Sequence, residues 1–264
     1  MPVQDPSAGT AGTATAVRPL YVYGVTWAAA AREEAAAGIG EADVSPVLSN
    51  GLAALTSPLL NPHVRARRRE LLAHSEVLAA ALERGTVLPL SFGTVFESEE
   101  AVVRDFLVPR RDELRRLLHE LEGRVELRVK AFYREEAILA EIVRENPRIA
   151  RLRETVRTAS QAATYGLRID LGELVAAQLG ARSRRDAEAI LDRLRPLSLA
   201  VDVDEEPIEH QVLRASFLVE RKRVRAFDEA MDELARSQDG RIHFKYVGPL
   251  PPHSFVSLRV AERP

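Results

Sequence analysis

Cysteine is absent from the 264-residue sequence, and its absence excludes disulfide bonds, thiolate zinc sites and a cysteine nucleophile. The sequence also lacks any run of about 18 apolar residues, so we expect no transmembrane helix. A large charge of either sign is missing too, because the formal net charge is -2. No field of the whole protein therefore favours binding to nucleic acid or to an anionic membrane.

Signatures of catalysis are missing as well. Walker A, HExxH, GxSxG and GxGxxG patterns do not occur, and the six histidines are scattered along the chain. We therefore expect no catalytic residue, no cofactor-binding residue and no metal site. Lysine is scarce, since only Lys130, Lys222 and Lys245 occur among the 37 basic residues. With so much alanine beside it, this bias towards arginine indicates a GC-rich coding sequence rather than phosphate recognition.

Residues 1–18 are small and polar, and they are rich in proline, glycine and threonine. They offer too little apolar surface to offset the entropy of ordering, so they predict a disordered tail. No basic segment precedes an apolar core, which argues against a signal peptide. We therefore expect the protein to be cytoplasmic.

The front half of the chain combines strand and helix patterns. Residues 20–26 are β-branched and aromatic and predict a strand, and Asn50-Gly51 between apolar runs predicts a hairpin. Asn61-Pro62 predicts the start of a helix that runs to about Arg84. The side chains expected on the buried face of this helix are Val64, Leu71, Leu72, Leu78 and Leu82.

The back half opens with strict alternation at residues 125–133, which predicts a half-buried strand. Residues 134–195 follow a helical pattern throughout, in which Gly180 is expected to end one helix and Ser183 to cap the next. The remaining expected elements are strands at 197–203 and 212–219, a helix over 224–234 and a strand at 242–246.

The order strand, strand, helix, glycine, strand with proline occurs in the front half and again at residues 197–252. This repeated order predicts an α+β fold of two domains, each with an antiparallel ferredoxin-like sheet packed by helices. After the tail at 1–18, we expect an N-terminal α+β domain at 19–122. A C-terminal ferredoxin-like domain is expected at 123–264, with a helical insertion at 134–195.

Two basic runs supply the candidate partner-binding residues. The first contains Arg65, Arg68 and Arg69, and the second contains Arg221 and Arg223. Each run lies at or near the start of a helix beside acidic residues, so a solvated or ion-paired face is the simpler interpretation. If the arginines are functional, an acidic partner protein fits them as well as nucleic acid does.

Several strings resemble one known family. Residues 87–96 (VLPLSFGTVF), which follow a long helix and a glycine, and residues 125–133 (VELRVKAFY) resemble the gas vesicle protein family that contains accessory proteins F and L. Residues 21–25 (YVYGV), 215–220 (ASFLVE) and 247–255 (VGPLPPHSF) are similar to the same family, and all five strings occur in the family's order.

The resemblance covers about residues 20–260 and implies a non-enzymatic role in building gas vesicles, which are protein-walled, gas-filled buoyancy compartments. It implies a two-domain protein that binds the hydrophobic major shell protein and other accessory proteins, as an assembly chaperone or a minor shell component. We therefore expect the cytoplasm and the gas vesicle as locations, and neither nucleic acid nor a lipid membrane as partner. An unassembled shell subunit is an aggregation hazard that a covering partner would reduce.

The alternative is a small-molecule- or nucleotide-binding enzyme or regulator, because ferredoxin-like domains host such functions and fold does not determine function. That alternative predicts a deep pocket with converging polar groups. The assembly role predicts an exposed sheet edge, or a groove able to hold an amphipathic helix.

Overall fold

The computed structural model describes residues 18–31, 36–61, 63–158, 165–204 and 210–256. Within these ranges the chain forms two antiparallel sheets with helices packed against them, which confirms the α+β fold class. Of the tail expected at 1–18, all but Arg18 lies outside the described residues, and so does Pro62.

The first sheet has the strand order β2-β3-β1-β4, and β5 also pairs with β1. Its strands are β1 (Leu20–Trp27), β2 (Ser45–Ser49), β3 (Leu52–Pro58), β4 (Val87–Pro89) and β5 (Val95–Phe96). The predicted hairpin joins β2 to β3, and both turn residues, Asn50 (φ 49°) and Gly51 (φ 80°), are left-handed. This geometry matches the twist of the flanking strands.

Three helical segments accompany this sheet. They are α1 (Arg68–Arg84), α2 (Glu99–Ala101) continuing as a π-helix (Val102–Leu107), and α3 (Arg111–Glu120). The predicted start of α1 at Asn61-Pro62 is wrong, because the Asn61 side chain accepts a hydrogen bond from the His63 N–H at 2.9 Å. It thereby closes a local turn instead of capping a helix. Ser98 does cap α2, since its hydroxyl accepts from the Ala101 N–H.

The second sheet has the strand order β7-β8-β6-β9, which is the ferredoxin-like order. Its strands are β6 (Arg124–Tyr133), β7 (Ala200–Val203), β8 (Gln211–Glu220) and β9 (Ile242–Leu250). The crossover from β8 to β9 is α7 (Val224–Ser237). The first sheet has the same strand order, and α1 connects β3 to β4 as α7 connects β8 to β9. The repeated order of elements in the sequence therefore corresponds to a repeated topology.

The predicted helical stretch between β6 and β7 consists of α4 (Glu135–Glu145), α5 (Pro147–Thr158) and α6 (Tyr165–Leu194). The predicted break at Gly180 and Ser183 is wrong, because α6 runs through both positions. Leu179 and Leu191 on either side of the break pack into one core, so tertiary packing holds the helix together across the glycine. The Ser183 hydroxyl donates to the Gln211 carbonyl at 3.3 Å instead of capping.

A charged network fastens this helical stretch to the second sheet. Arg182 of α6 donates to Glu141 of α4 at 2.6 Å, and Arg241 at the start of β9 donates to Glu141 and Asp186 at 2.7 Å. The Tyr133 hydroxyl of β6 also donates to Asp186. Burial and the neighbouring Asp186 raise the pKa of Tyr133 above its usual range. The network explains why charged residues tolerate partial burial here.

The two halves share their cores. Leu218 of β8 lies in the same buried cluster as β1 and α3 residues, and Phe255 packs against that cluster. Val125 of β6 belongs to the cluster beneath α1. Gly123, left-handed with φ 67°, joins α3 to β6. The division of the chain into domains at 122/123 stays a prediction.

A buried carboxylate supports this contact. Glu126 of β6 is fully buried, and it accepts hydrogen bonds from the Ser254 N–H (2.8 Å), the Ser254 hydroxyl (3.0 Å) and Arg128 Nε (2.5 Å). The Ser254 hydroxyl also lies 2.9 Å from the Ser216 hydroxyl. Glu126 therefore holds the turn His253–Phe255 against the sheet, and this turn places Phe255 against the core of the first half.

We predict that Glu126→Leu lowers the free energy of unfolding by about 3 kcal/mol, because it leaves the Ser254 N–H without its acceptor and removes one of the two hydrogen bonds of the Ser254 hydroxyl. The Ser254 amide should also exchange with solvent faster, and hydrogen exchange combined with urea unfolding measures both effects. The control Glu120→Leu changes an exposed carboxylate paired with Arg116 and should cost less than about 1 kcal/mol. Equal losses in the two variants would contradict the proposed anchoring role of Glu126.

Candidate interaction surface

The first basic run lies at the start of α1. Arg65 precedes the helix, Arg68 and Arg69 are in its first turn, and all three are exposed. Arg69 pairs with Glu41 at 3.1 Å, and both side chains of this pair remain largely in solvent. Such a pair contributes little to stability. The arginines are therefore available to a partner, and their role in binding one stays a prediction.

A cavity of about 550 Å³ opens beside these arginines. It lies between the start of α1, the turn Ile39–Glu41 and the segment that follows β3. Arg18, Arg65 and Arg67 line it together with Leu60, whose side chain is 98% exposed. The cavity therefore combines positive charge with an uncovered apolar side chain.

Leu71 and Leu72 of α1 are two further exposed apolar side chains. They were expected in the core, but they are 42% and 50% exposed, so this prediction is wrong. The buried face of α1 instead consists of His74, Val77, Leu78, Ala81 and Leu82. The apolar pattern of the sequence misplaced this face because His74, a polar residue, is one of the residues buried on it. Leu72 is one helical turn from Arg68, so apolar and basic side chains are neighbours.

The second basic run lies elsewhere. Arg221 donates to the Leu82 carbonyl at 2.7 Å, and Arg223 donates to the Pro196 carbonyl at 3.3 Å. Leu82 is in the last turn of α1, about 21 Å along the helix from Arg68. The structure therefore does not bring the two basic runs together. Arg221 joins the halves of the molecule by binding a helix C-terminus, where a cation is favoured.

A buried polar cluster beneath α1 was missed by the sequence analysis. The Tyr21 hydroxyl of β1 and His74 Nδ1 are hydrogen-bonded at 2.9 Å, and the same hydroxyl accepts from the Gly93 N–H at 3.1 Å. His253, from the turn held by Glu126, lies with its ring 6.4 Å from that of His74. Burial and the nearby His253 lower the pKa of His74 to about 4. Its polar atoms bind within the fold, so the cluster positions α1 on the sheet.

We predict that His74 makes the protein sensitive to acid. Unfolded His74 takes up a proton near pH 6.5, whereas the folded residue does so only near pH 4. The free energy of unfolding should therefore fall as the pH drops from about 6.5 to about 4, with His74 accounting for about 2 kcal/mol at pH 4.5. Urea unfolding at pH 7 and pH 4.5 measures this loss.

The variant His74→Gln retains a hydrogen-bond acceptor for Tyr21 but does not titrate, so its stability should change less between these two pH values. The control His63→Gln changes an exposed histidine and should behave like the wild type. A pH dependence that is the same in all three proteins would exclude His74 as its origin.

Within the described ranges, no group of three or more histidine or carboxylate side chains is arranged to hold a metal ion. None of the described helices is both long enough and apolar enough to cross a bilayer.

Comparison with known proteins identifies the family. The family model for gas vesicle synthesis protein GvpL/GvpF matches residues 19–257. The chain belongs to this family. Gas vesicle protein F of Streptomyces sp. (strain CB03234) is 37% identical over 240 residues, which cover 89% of this chain and 98% of that protein. Gas vesicle protein F of Nostoc sp. (strain PCC 7120) is 27% identical over 241 residues, covering 90% and 98%. The resemblance inferred from the five strings is confirmed.

Two solved structures of the family share the fold. The crystal structure of GvpF from Anabaena sp. PCC7120 superposes with a TM-score of 0.77 at 25% identity, covering 92% of this chain and 99% of that chain. GvpF from Microcystis aeruginosa gives a TM-score of 0.72 at 22% identity, covering 91% and 99%. The GvpL/GvpF family is a gas vesicle family and not a known enzyme family.

The strings that resemble the family are brought together by the fold. Residues 87–96 form β4, a turn at Gly93 and β5, and both strands pair with β1, which contains residues 21–25. A side chain at Gly24 would lie 2.7 Å from the Leu88 carbonyl oxygen, so this pairing requires glycine. Residues 247–255 lead from β9 into the turn held by Glu126. Tyr21, Tyr23 and Val87 of these strings therefore belong to the core beneath α1.

Proposed function

We propose that this member of the gas vesicle family is a non-enzymatic assembly factor or minor structural protein. It binds the hydrophobic major shell protein and other accessory proteins while vesicles form, and it acts in the cytoplasm and at the gas vesicle. The observation that carries the proposal is the exposed apolar surface of Leu60, Leu71 and Leu72 beside basic residues at the start of α1. We call these three leucines and the adjacent Arg65, Arg68 and Arg69 the α1 surface.

The chemistry of the α1 surface suits an amphipathic partner segment. Exposed leucines beside a cavity favour association with another apolar surface, and hot-spot residues of interfaces characteristically fill such pockets. The arginines supply charges at the rim of the surface. Such charges increase the rate of association and orient the partner more than they raise the affinity. A shell subunit must bury apolar surface before it assembles, and a partner of this kind would cover that surface for a limited time.

Rigid support adds to this proposal. Helix α1 packs into the core through Val77 and Leu78, and the Tyr21–His74 pair holds the same face on β1. A helix fixed in this way loses little conformational entropy when it binds a partner. The α1 surface is therefore preorganised.

The first test measures binding of the full chain to the major gas vesicle shell protein, which a fused carrier protein keeps in solution. We predict that the double variant Leu71→Asp/Leu72→Asp binds at least about tenfold more weakly, since it places charge where apolar contact is needed. The matched control is Leu199→Asp in the second half, because Leu199 has a similar exposure of 47%. Biolayer interferometry measures the affinities, and circular dichroism checks the fold.

Undiminished binding of the double variant, or an equal loss in the Leu199 control, would exclude the α1 surface as the binding site. If the wild-type chain binds no gas vesicle protein and normal vesicles form after deletion of its gene, the proposed function itself is wrong.

The second test concerns the arginines. Replacing Arg65, Arg68 and Arg69 with glutamine should slow association several-fold at low salt and flatten its dependence on ionic strength, with a smaller effect on dissociation. The control Arg225→Gln removes a cation of α7 that is 91% exposed and paired with Glu229, and it should leave the rate unchanged. A slowing by Arg225→Gln that is one third of the triple variant's effect on the logarithm of the rate would show that only the net charge matters.

A further inference from the structure

The face of the second sheet opposite helices α4 to α7 is covered by the first half and by the turn His253–Phe255 around Leu218 and Glu126, and it carries accessible basic residues further along the strands. Helices α4 to α7 pack on the face formed by alternate residues such as Leu127, Val129 and Ala131. The opposite face presents the intervening residues of the same strands. Those that are half-buried or exposed are Arg128, Lys130, Phe132, Arg214, His243 and Lys245.

Three of these residues form one row across the sheet. Lys130 of the central strand β6 is in register with Arg214 of β8 on one side and with Lys245 of β9 on the other. Neighbouring strands are about 4.8 Å apart, so three cations lie side by side over about 10 Å. Like charges directly opposite each other destabilise a sheet. We call Arg214, Lys130 and Lys245 the cationic row.

Only one end of the cationic row is neutralised. Arg214 pairs with Asp204 at 3.0 Å. Among the described residues, neither Lys130 nor Lys245 has an ion-pair partner, and Lys245 Nζ lies over the Phe132 ring at 5.6 Å. In the described part of the chain, two positive charges of the row therefore have no ion-pair partner.

The rarity of lysine in this chain is a reason to look for a function of the cationic row. The chain has three lysines, and two of them meet in this row. A lysine on an edge strand can serve to prevent pairing with other sheets, which would account for Lys245 on β9. It does not account for Lys130, because β6 is hydrogen-bonded on both sides. The repulsion at Lys130 therefore calls for another explanation.

We propose that the cationic row binds a short acidic segment of a partner protein. Two carboxylates separated by one helical turn, or by two positions of an extended strand, lie about 6–7 Å apart and fit within its length. The row uses strands of the second half and none of the α1 surface, so this binding site is independent of the one proposed above.

Several features favour an acidic polypeptide over nucleic acid. Asp202 is exposed on the same face and Asp204 flanks the row, so a continuous phosphate backbone would meet negative charge on leaving the row. The Phe132 ring is stacked with that of His243 at 5.2 Å, which covers a face that a base would need. Three cations also provide few phosphate contacts, and the net charge of the chain is negative.

The binding test uses a fluorescein-labelled peptide of ten glutamates with the full chain at low salt, followed by fluorescence anisotropy. We expect the double variant Lys130→Gln/Lys245→Gln to bind at least about tenfold more weakly than the wild type. The matched control Lys222→Gln removes the third lysine, which is exposed and lies 3.3 Å from Glu220, and it should bind like the wild type. A labelled peptide of ten glutamines and a labelled ten-nucleotide thymidine strand are the comparison probes.

Equal affinity of the double variant and the wild type for the glutamate peptide would overturn the proposal. So would tighter binding of the nucleotide strand than of the peptide. These outcomes do not bear on the α1 surface, whose test uses the shell protein and other residues.

Thermal stability provides a second readout. Removing two of three adjacent like charges should raise the Tm of the double variant by about 2 °C at low salt, and the gain should shrink as salt screens the repulsion. Lys222→Gln should bring no such gain, because Lys222 has an acidic neighbour. An unchanged or lower Tm of the double variant would contradict the repulsion on which the proposal rests.

Discussion

The shared core between the two halves is the constraint on which the rest of this structure depends. Leu218 of the second sheet completes the core of the first half, and the buried Glu126 holds the terminal turn that brings Phe255 to the same place. Arg221 adds a hydrogen bond to the last turn of α1. Because the halves are joined through buried side chains as well as through the chain itself, α1 has a defined position relative to both sheets.

The two proposed binding sites differ in their physics. The α1 surface offers exposed leucines, which favour apolar association and depend weakly on salt. The cationic row offers positive charge on a sheet face, which favours binding of acidic segments that depends strongly on salt. A protein of the gas vesicle family that carries both would hold an apolar subunit at one site and a charged segment at another. Neither site requires bond-making chemistry, in agreement with the absence of catalytic motifs from the sequence.

The fold could be predicted from the sequence where local patterns and tertiary packing agree. Alternation along β6 and the Asn50-Gly51 turn each act over a few residues, and each appears where it was expected. Prediction failed where a polar side chain could either cap a helix or form another hydrogen bond. Asn61 closes a local turn instead of capping α1, and Ser183 bonds the Gln211 carbonyl within a continuous helix.

The sequence by itself determined the α+β class, the repeated order of elements and membership of the gas vesicle family, because periodicity and short motifs are local properties of the chain. Only the tertiary structure decided which leucines of α1 stay in solvent, since the buried His74 and its bond to Tyr21 set the rotation of the helix. The tertiary structure alone also aligned Lys130 with Arg214 and Lys245. Lys130 is more than 80 positions from Arg214 and from Lys245 along the chain, and strand register, which depends on packing of the whole sheet, brings them together.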